Sequence, residues 1–335
     1  MRTFLVFALS VLLTSCSMTS IKPLKINGVS FVASRDSIND SHIKPVINLH
    51  ANYAALMPFG FIRNLEHPEV MYNSSRQWFG ETNNGVKQYG TALKSKGIKV
   101  MVKPQIWVSK GEFTGFIKMN NETEWLQLET TYSKFILNYA RIAETMHADI
   151  FCIGTELETF VDNRPDYWKQ LIKDIRKLYS GKLTYAANWN EYDRTPFWNQ
   201  LDYIGIDAYF PVSDEKTPSV ETCKAGLVTY KTAVAKLSNK LQKPVLFTEF
   251  GYRSVDFSGK QPWRSDRSMT EVNLEAQKNT TQALFETFWG ENWFAGGFLW
   301  KWHHNYEKAG GKNNARFTPQ NKPAEALIKE MYATY

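Results

Sequence analysis

The sequence has few of the residues that cross-link small exported proteins. Only three of its 335 residues are cysteines: Cys16, Cys152 and Cys223. Cys152 stands inside an apolar run, where a cysteine behaves as a small buried side chain rather than as half of a disulfide. The low count therefore argues against a disulfide framework as the source of stability.

The sequence also lacks the motifs of several common function classes. No G-x-G-x-x-G or Walker pattern follows the first predicted strand, which argues against a nucleotide-binding doubly wound sheet. No zinc-ligand spacing, arginine-rich run or repeat is present. The formal charge is +7, but the lysines are scattered through helical segments such as 169–182 and 231–243, as on a solvated surface. We therefore predict no cofactor, no metal and no nucleic-acid partner.

Apart from the N-terminus, no long hydrophobic run occurs. Residues 4–13 are apolar and follow Arg2, as in a secretory signal, and they are shorter than the roughly 20 residues of a membrane span. The run ends in Leu13-Thr-Ser-Cys16, which resembles a bacterial lipobox. We predict a signal peptide over residues 1–16, a lipid anchor on Cys16 in a bacterial outer membrane, and a linker over 17–27. An ordinary signal peptide with an incidental cysteine is the alternative.

Eight short apolar runs dominate the remaining chain. Near-continuous apolar runs are typical of parallel strands that are buried on both faces. Helical patterns separate most of them, including an apolar stripe over residues 125–146. This alternation predicts a single α/β domain over residues 28–335, a (β/α)8 TIM barrel. The predicted strands are residues 28–34, 51–59, 99–107, 150–156, 183–189, 203–210, 244–251 and 297–302.

Two glutamates close predicted strands four and seven. Glu156 and Glu249 each end an apolar run, where a carboxylate is costly unless it has a partner or a chemical role. A structural salt bridge could explain either one alone. The active site of such a barrel lies at the C-terminal ends of its strands, and a pair of carboxylates there is what glycosidic bond hydrolysis requires.

Polar and aromatic side chains occupy the other predicted strand ends. Because residues two apart in a strand share a face, Lys103, Gln105 and Trp107 are expected on one face of strand three. Trp300 is the candidate platform beneath a sugar ring, with Trp302 at the rim. A barrel lysine such as Lys103 could form a Schiff base, but its neighbours favour a sugar-hydroxyl or carboxylate partner. By contrast, the tryptophans on helical stripes are expected in the core: Trp125, Trp168 and Trp289.

Several segments together resemble glycoside hydrolase family 113, a family of clan A whose characterised members are β-mannanases. The resemblance extends over the chain after the signal segment and includes the Trp-rich eighth strand. The segments are Ala51-Asn-Tyr-Ala-Ala-Leu-Met-Pro58, Val102-Lys-Pro-Gln105, Gly154-Thr-Glu156, Asp207-Ala-Tyr-Phe-Pro211 and Thr248-Glu-Phe-Gly-Tyr252. It implies a retaining double displacement on β-1,4-linked mannan or its oligosaccharides.

The resemblance also implies roles for individual residues. Glu249 is the expected nucleophile, Glu156 the expected acid/base, and Tyr209 the expected hydrogen-bond donor to Glu249. Many clan A members carry Asn immediately before the acid/base, whereas this chain carries Thr155. The contact to the sugar 2-hydroxyl must then come from elsewhere, with Asn188 and Asn52 as candidates.

Three other functions fit parts of the sequence. A clan A β-glycosidase with another sugar preference would carry the same pair, because the pair does not encode the sugar. A non-catalytic surface glycan-binding lipoprotein would not need both carboxylates and Tyr209. A barrel aldolase is disfavoured because no glycine-rich phosphate loop follows strands seven or eight.

Overall fold

The computed structural model describes residues 24–265 and 270–335. The predicted signal peptide and Cys16 lie outside these residues, so lipid anchoring stays a prediction. Eight parallel strands form a closed barrel in which each strand lies beside the next in the chain and β8 returns to β1. They are β1 Ile26–Phe31, β2 Tyr53–Leu56, β3 Lys99–Val102, β4 Ile150–Thr155, β5 Lys182–Asn188, β6 Ile204–Asp207, β7 Val245–Phe250 and β8 Phe294–Trp302. The predicted (β/α)8 barrel is confirmed.

Helices surround the barrel and bury their apolar stripes against it. The tryptophans that were expected in the core, Trp125, Trp168 and Trp289, are all buried. None of the helices in the described residues is long and apolar enough to cross a membrane. The helices are α1 Asp40–Asn48, α2 Asn83–Lys94, α3 Glu122–Thr145, α4 Glu158–Asn163, α5 Pro165–Leu178, α6 Val220–Leu241, α7 Leu274–Phe288 and α8 Pro323–Thr334.

Three predicted strands are much longer than the observed ones: run 203–210 forms a strand only over Ile204–Asp207, and two others run past a proline. The runs 51–59 and 99–107 each contain a proline, Pro58 and Pro104, and the barrel strands end before it. Proline cannot donate to the ladder, so the chain leaves the barrel there. The two segments continue as the strands Phe59–Ile62 and Gln105–Val108, which pair with each other in parallel in a separate small sheet. Met71–Tyr72 completes this sheet and is antiparallel to Phe59–Ile62. This sheet carries Gln105 and Trp107 to the rim of the barrel.

Small and apolar side chains fill the interior of the barrel below the site. Ala55, Cys152, Ala186 and Phe298 belong to this inner cluster. Gly28 on β1 leaves the space that the Phe298 ring occupies, since a Cβ there would lie 2.4 Å from the ring. Cys152 and Cys223 are both buried and free. The interior is therefore a packed support, and the functional groups lie at its upper end.

Candidate active site

A cleft of about 950 Å³ opens at the C-terminal ends of the barrel strands. Both candidate carboxylates line it, together with an unusual number of aromatic side chains. The predicted site residues on its wall are Glu156, Glu249, Tyr209, Asn188, Gln105, Trp107 and Trp300. The structure therefore brings seven of the predicted side chains to one surface.

Both carboxylates lie beside local irregularities of the barrel ladder. On β7, Thr248 and Glu249 together span one step of β6, because Phe247 pairs with Ile206 and Glu249 with Asp207. On β4, the pairing with β5 likewise slips by one residue between Cys152 and Thr155, just before Glu156. An extra residue of this kind bends a strand and changes the direction of the side chains that follow.

Three donors hold the Glu249 carboxylate from different directions. Gln105 Nε2 donates to Oε1 at 2.8 Å, and Lys103 Nζ donates to the same oxygen. Tyr209 Oη donates to Oε2 at 2.6 Å, although β6 ends at Asp207 and Tyr209 stands in the turn beyond it. Burial, followed by the charge of Glu249, raises the pKa of Tyr209 well above its ordinary value, so the hydroxyl keeps its proton. Glu249 is thus fixed in one orientation.

Lys103 lies beneath the cleft, so of its two predicted roles the sugar contact is wrong and the carboxylate partner is the one that the structure has. Its side chain is fully buried, and Nζ lies 3.2 Å from each carboxylate oxygen of Asp207 as well as against Glu249. Burial alone would lower the pKa of Lys103, but the charges of Asp207 and Glu249 outweigh it and raise the pKa. Lys103 is therefore a buried cation between two carboxylates.

Asp207 is a site residue that the sequence interpretation did not select. It is buried, and besides Lys103 it accepts a hydrogen bond from Thr248 Oγ1 at 2.7 Å. Burial and the charge of Glu249 raise its pKa, against the opposing effect of Lys103. The sequence held one sign of this role: Asp207 stands two residues before Tyr209, and residues two apart in an ideal strand share a face.

Replacing Lys103 tests this buried charge cluster. We expect Lys103→Met to lower the free energy of unfolding by about 3–5 kcal/mol, because two carboxylates would share a dry site without their cation. Urea unfolding measures it. Lys169→Met is the matched control: Lys169 is an exposed partner of Asp166, and the expected change is below about 1 kcal/mol. An equal, small effect in both variants would contradict the described role of Lys103.

Glu156 occupies a different environment from Glu249. It follows β4 directly with a φ of 50°, a left-handed conformation that is uncommon for a side chain with a Cβ. Burial, and then the charges of Asp207 and Glu249, raise its pKa well above the ordinary value, with Lys103 acting in the opposite sense. The surroundings of Glu156 therefore favour its protonated form, which is the form that can donate to a ligand oxygen in the cleft.

Two other predicted contacts are wrong. Asn52 precedes β2 at the opposite end of the barrel, where its Oδ1 accepts from the Asn27 backbone N–H at 2.9 Å and its Nδ2 donates to the Lys25 carbonyl at 2.8 Å. Trp302 is fully buried and packs near Tyr306, with ring centroids 6.0 Å apart. Neither side chain reaches the cleft, so neither can contact a ligand bound there.

The remaining predicted residues form the wall. Trp300 is partly buried in the cleft, Trp107 is 50% exposed, and Asn188 is nearly buried at the end of β5. The Asn188 side-chain oxygen accepts from the Trp189 N–H at 2.7 Å. Among the residues that the structure describes, no group of three or more His, Cys, Asp or Glu side chains is placed to hold a metal ion.

A parallel (β/α)8 barrel whose aromatic cleft holds two carboxyl groups in different environments is typical of glycoside hydrolases. The model of Glycoside Hydrolase Family 113 matches residues 33–322, and the chain belongs to this family. No curated protein matches the chain by sequence.

Solved structures show the same fold. The GH113 β-mannanase AaManA from Alicyclobacillus acidocaldarius is similar at a TM-score of 0.78 and 22% identity, over 92% of this chain and 97% of that one. A GH113 β-1,4-mannanase complex is similar at a TM-score of 0.80 and 24% identity, over 93% of this chain and 99% of that one. A Ruminococcus gnavus β-glucuronidase is similar at a TM-score of 0.59 and 14% identity, over 88% of this chain and 46% of that one.

Proposed function

We propose that this glycoside hydrolase cleaves β-1,4-mannosidic bonds of mannan or manno-oligosaccharides by a retaining double displacement. The observation that carries the mechanism is the contrast between the two carboxyl groups: three donors bind Glu249, whereas burial and neighbouring charges favour the protonated form of Glu156. A carboxylate held by three hydrogen-bond donors, beside a carboxyl group whose surroundings favour its proton, is what a nucleophile and a general acid require. The family and its β-mannanase members support the sugar preference.

In the first step, a Glu249 oxygen bonds to the anomeric carbon while the glycosidic C–O bond breaks. Glu156 gives its proton to the departing oxygen, so the first product leaves as a neutral alcohol. The Glu249 ester no longer carries the charge that helped to hold the proton on Glu156. The ionised Glu156 then takes a proton from water, whose oxygen attacks the anomeric carbon and releases Glu249. Two inversions leave the β-configuration in the product.

The substrate proposed for this cleft is an oligosaccharide rather than a single sugar. Aromatic side chains from different parts of the chain line the cleft: exposed Trp107 on the small sheet after β3, and partly buried Trp189 with exposed Trp263 after β5 and β7. The rings of that pair stack with centroids 5.0 Å apart and an interplanar angle of 19°. Flat apolar faces with a polar edge suit the faces of pyranose rings.

Truncating Trp263 tests whether this aromatic pair binds a sugar ring of a longer substrate. Trp263→Ala is expected to reduce kcat/KM about five- to tenfold on manno-oligosaccharides of five or six units, through loss of one stacking surface. The shortest oligosaccharide that is cleaved serves as the internal control and should be affected less than twofold. A loss of equal size at every chain length would show that Trp263 supports the fold of the cleft and does not bind a distant ring.

A substrate panel tests the proposed sugar. The purified enzyme is incubated with mannan, glucomannan, xylan and cellulose oligosaccharides, and the products are resolved by chromatography. Products from mannan and glucomannan alone support the proposal. Activity confined to xylan or cellulose would favour another clan A β-glycosidase, and binding without any products would favour a glycan-binding protein.

A further inference from the structure

A further buried carboxyl group, Glu191, lies behind the turn that carries Glu156, and the mechanism above does not use it. Glu191 follows β5 and is 1% exposed. In the described part of the chain, no lysine or arginine comes within ion-pair distance of it, since nearby Arg194 pairs with Glu158 instead. A carboxyl group without a cation is costly to bury. Its hydrogen bonds indicate what it does there.

The hydrogen bonds of Glu191 lead directly to the turn at Glu156. Tyr185 Oη donates to Glu191 Oε1 at 2.9 Å, and the Asn188 N–H donates to Oε2 at 3.0 Å. The same Tyr185 oxygen accepts from the N–H of Leu157 at 2.8 Å. A phenolic hydroxyl has one proton; because that proton points to Glu191, a lone pair is left to face Leu157. Two hydrogen bonds thus connect Glu191 to the residue next to Glu156.

The turn at Glu156 needs such support. A left-handed conformation is unfavourable for a residue with a Cβ, so surrounding contacts must maintain it. Three hydrogen bonds do so: the Glu156 N–H donates to Ala186 O at 2.8 Å, Thr114 Oγ1 donates to Glu156 O at 3.2 Å, and the Leu157 N–H donates to Tyr185. Of these, only the bond to Tyr185 depends on a buried charged group.

We propose that Glu191 is a positioning residue for the acid/base Glu156. Through Tyr185 it fixes the left-handed turn that aims Glu156 into the cleft, and its negative charge adds to those of Asp207 and Glu249 in opposing ionisation of Glu156. This inference rests on the acid/base role proposed above. It adds a residue to the site that contacts neither the substrate nor the reacting atoms.

The charges around both groups set the direction of the pH effect. Glu156 faces Asp207, Glu249 and Glu191, which raise its pKa, and Lys103, which lowers it. The pKa of Glu191 is raised to about 7: burial is the main cause and the charge of Glu158 adds to it, while the hydrogen bonds from Asn188 and Tyr185 and the charge of Arg194 act in the opposite sense. Glu191 therefore becomes charged near neutral pH, and that charge opposes ionisation of Glu156. Without it, Glu156 would lose its proton at a lower pH.

Two substitutions separate the positioning effect from the charge effect. Glu191→Gln removes the charge but keeps an oxygen that can accept from Tyr185, whereas Glu191→Leu removes both. For Glu191→Gln, we expect the alkaline limb of the kcat/KM profile to move by about half to one unit toward lower pH. For Glu191→Leu, we also expect a loss in kcat of about tenfold or more, with KM little changed. Glu144→Gln, at the other end of the barrel, should leave both quantities unchanged.

An activated aryl β-mannoside supplies the second measurement, because its leaving group needs no proton. The rate of aryl release should stay within about threefold of the wild-type rate in Glu191→Gln. If the alkaline limb of the kcat/KM profile stays at its wild-type pH in the folded Glu191 variants, the proposal is overturned. If Glu191→Leu does not fold, the result for Glu191→Gln decides alone. If Glu156→Gln itself retains the alkaline limb, the proposed acid/base assignment fails. If that variant loses the limb while Glu191→Gln leaves it in place, only the present inference fails.

Discussion

Glu249→Ala is expected to lower kcat/KM on manno-oligosaccharides by on the order of 10⁴-fold or more, because the covalent intermediate cannot form without this carboxylate. Initial rates on a hexasaccharide measure the loss. Near-UV circular dichroism establishes that the variant is folded, as expected, since removing Glu249 leaves Lys103 paired with Asp207. Wild-type-like turnover in the folded variant would remove the nucleophile assignment.

Chemical rescue sharpens this test. In Glu249→Ala, a small anion such as azide can enter the space of the missing carboxylate and attack the anomeric carbon of an activated β-glycoside. A single displacement inverts the configuration, so the expected product is the α-glycosyl azide. A β-glycosyl azide from this variant would instead place azide on the opposite side of the sugar and would exchange the roles of Glu249 and Glu156.

Glu156→Gln is expected to lower kcat about 10²- to 10⁴-fold on unactivated oligosaccharides, because the leaving oxygen then departs without a proton. The alkaline limb of the pH profile should vanish in the same variant. The sign follows from the raised pKa of Glu156: the wild-type enzyme is active while this group is protonated and loses activity as pH rises through that pKa.

An activated aryl β-mannoside is the control for this second variant. Its aryloxide leaves without help, so its release in the first turnover should be nearly normal, and hydrolysis of the ester should then be slow because the general base is missing. The measurement is a burst of aryl release followed by a slow steady state. Equal losses on activated and unactivated substrates would contradict the acid/base role and would indicate a general effect on binding or folding.

The barrel and the positions of its two carboxylates were predictable because buried parallel strands are nearly continuous apolar runs. Glu156 and Glu249 interrupt such runs, so their sites at the ends of β4 and β7 follow from counting strands. The same reasoning overextended β2 and β3, since apolar residues continue past Pro58 and Pro104 into the small sheet. Apolar patterning does not distinguish two sheets that one segment crosses in succession.

The errors at single residues arise from departures from ideal alternation. Trp300 and Trp302 should share a face, but β8 carries one extra residue relative to β1 between Leu299 and Trp302, and the two side chains separate. Asn52 lies just before β2, at the end of the barrel away from the cleft. Such irregularities depend on pairing between distant segments, and the local sequence does not record them.

The buried polar network was the least predictable part of the site. Asp207 ends β6, and Glu191 lies in the loop after β5. Their roles become visible only from their contacts with Lys103 and Tyr185, respectively. Lys103 follows β3 and reaches Glu249 across the barrel interior, at a separation of 146 residues in the chain. Two residues so far apart in the chain come into contact only when the whole barrel closes, so the local sequence does not predict the contact.

Proton NMR of the first product formed from a β-1,4-linked manno-oligosaccharide tests the central claim most directly. If Glu249 forms a covalent intermediate that Glu156 then helps to hydrolyse, the newly released reducing end appears first as the β-anomer and equilibrates later toward the α-anomer. Initial appearance of the α-anomer would show a single inverting displacement and would contradict the account.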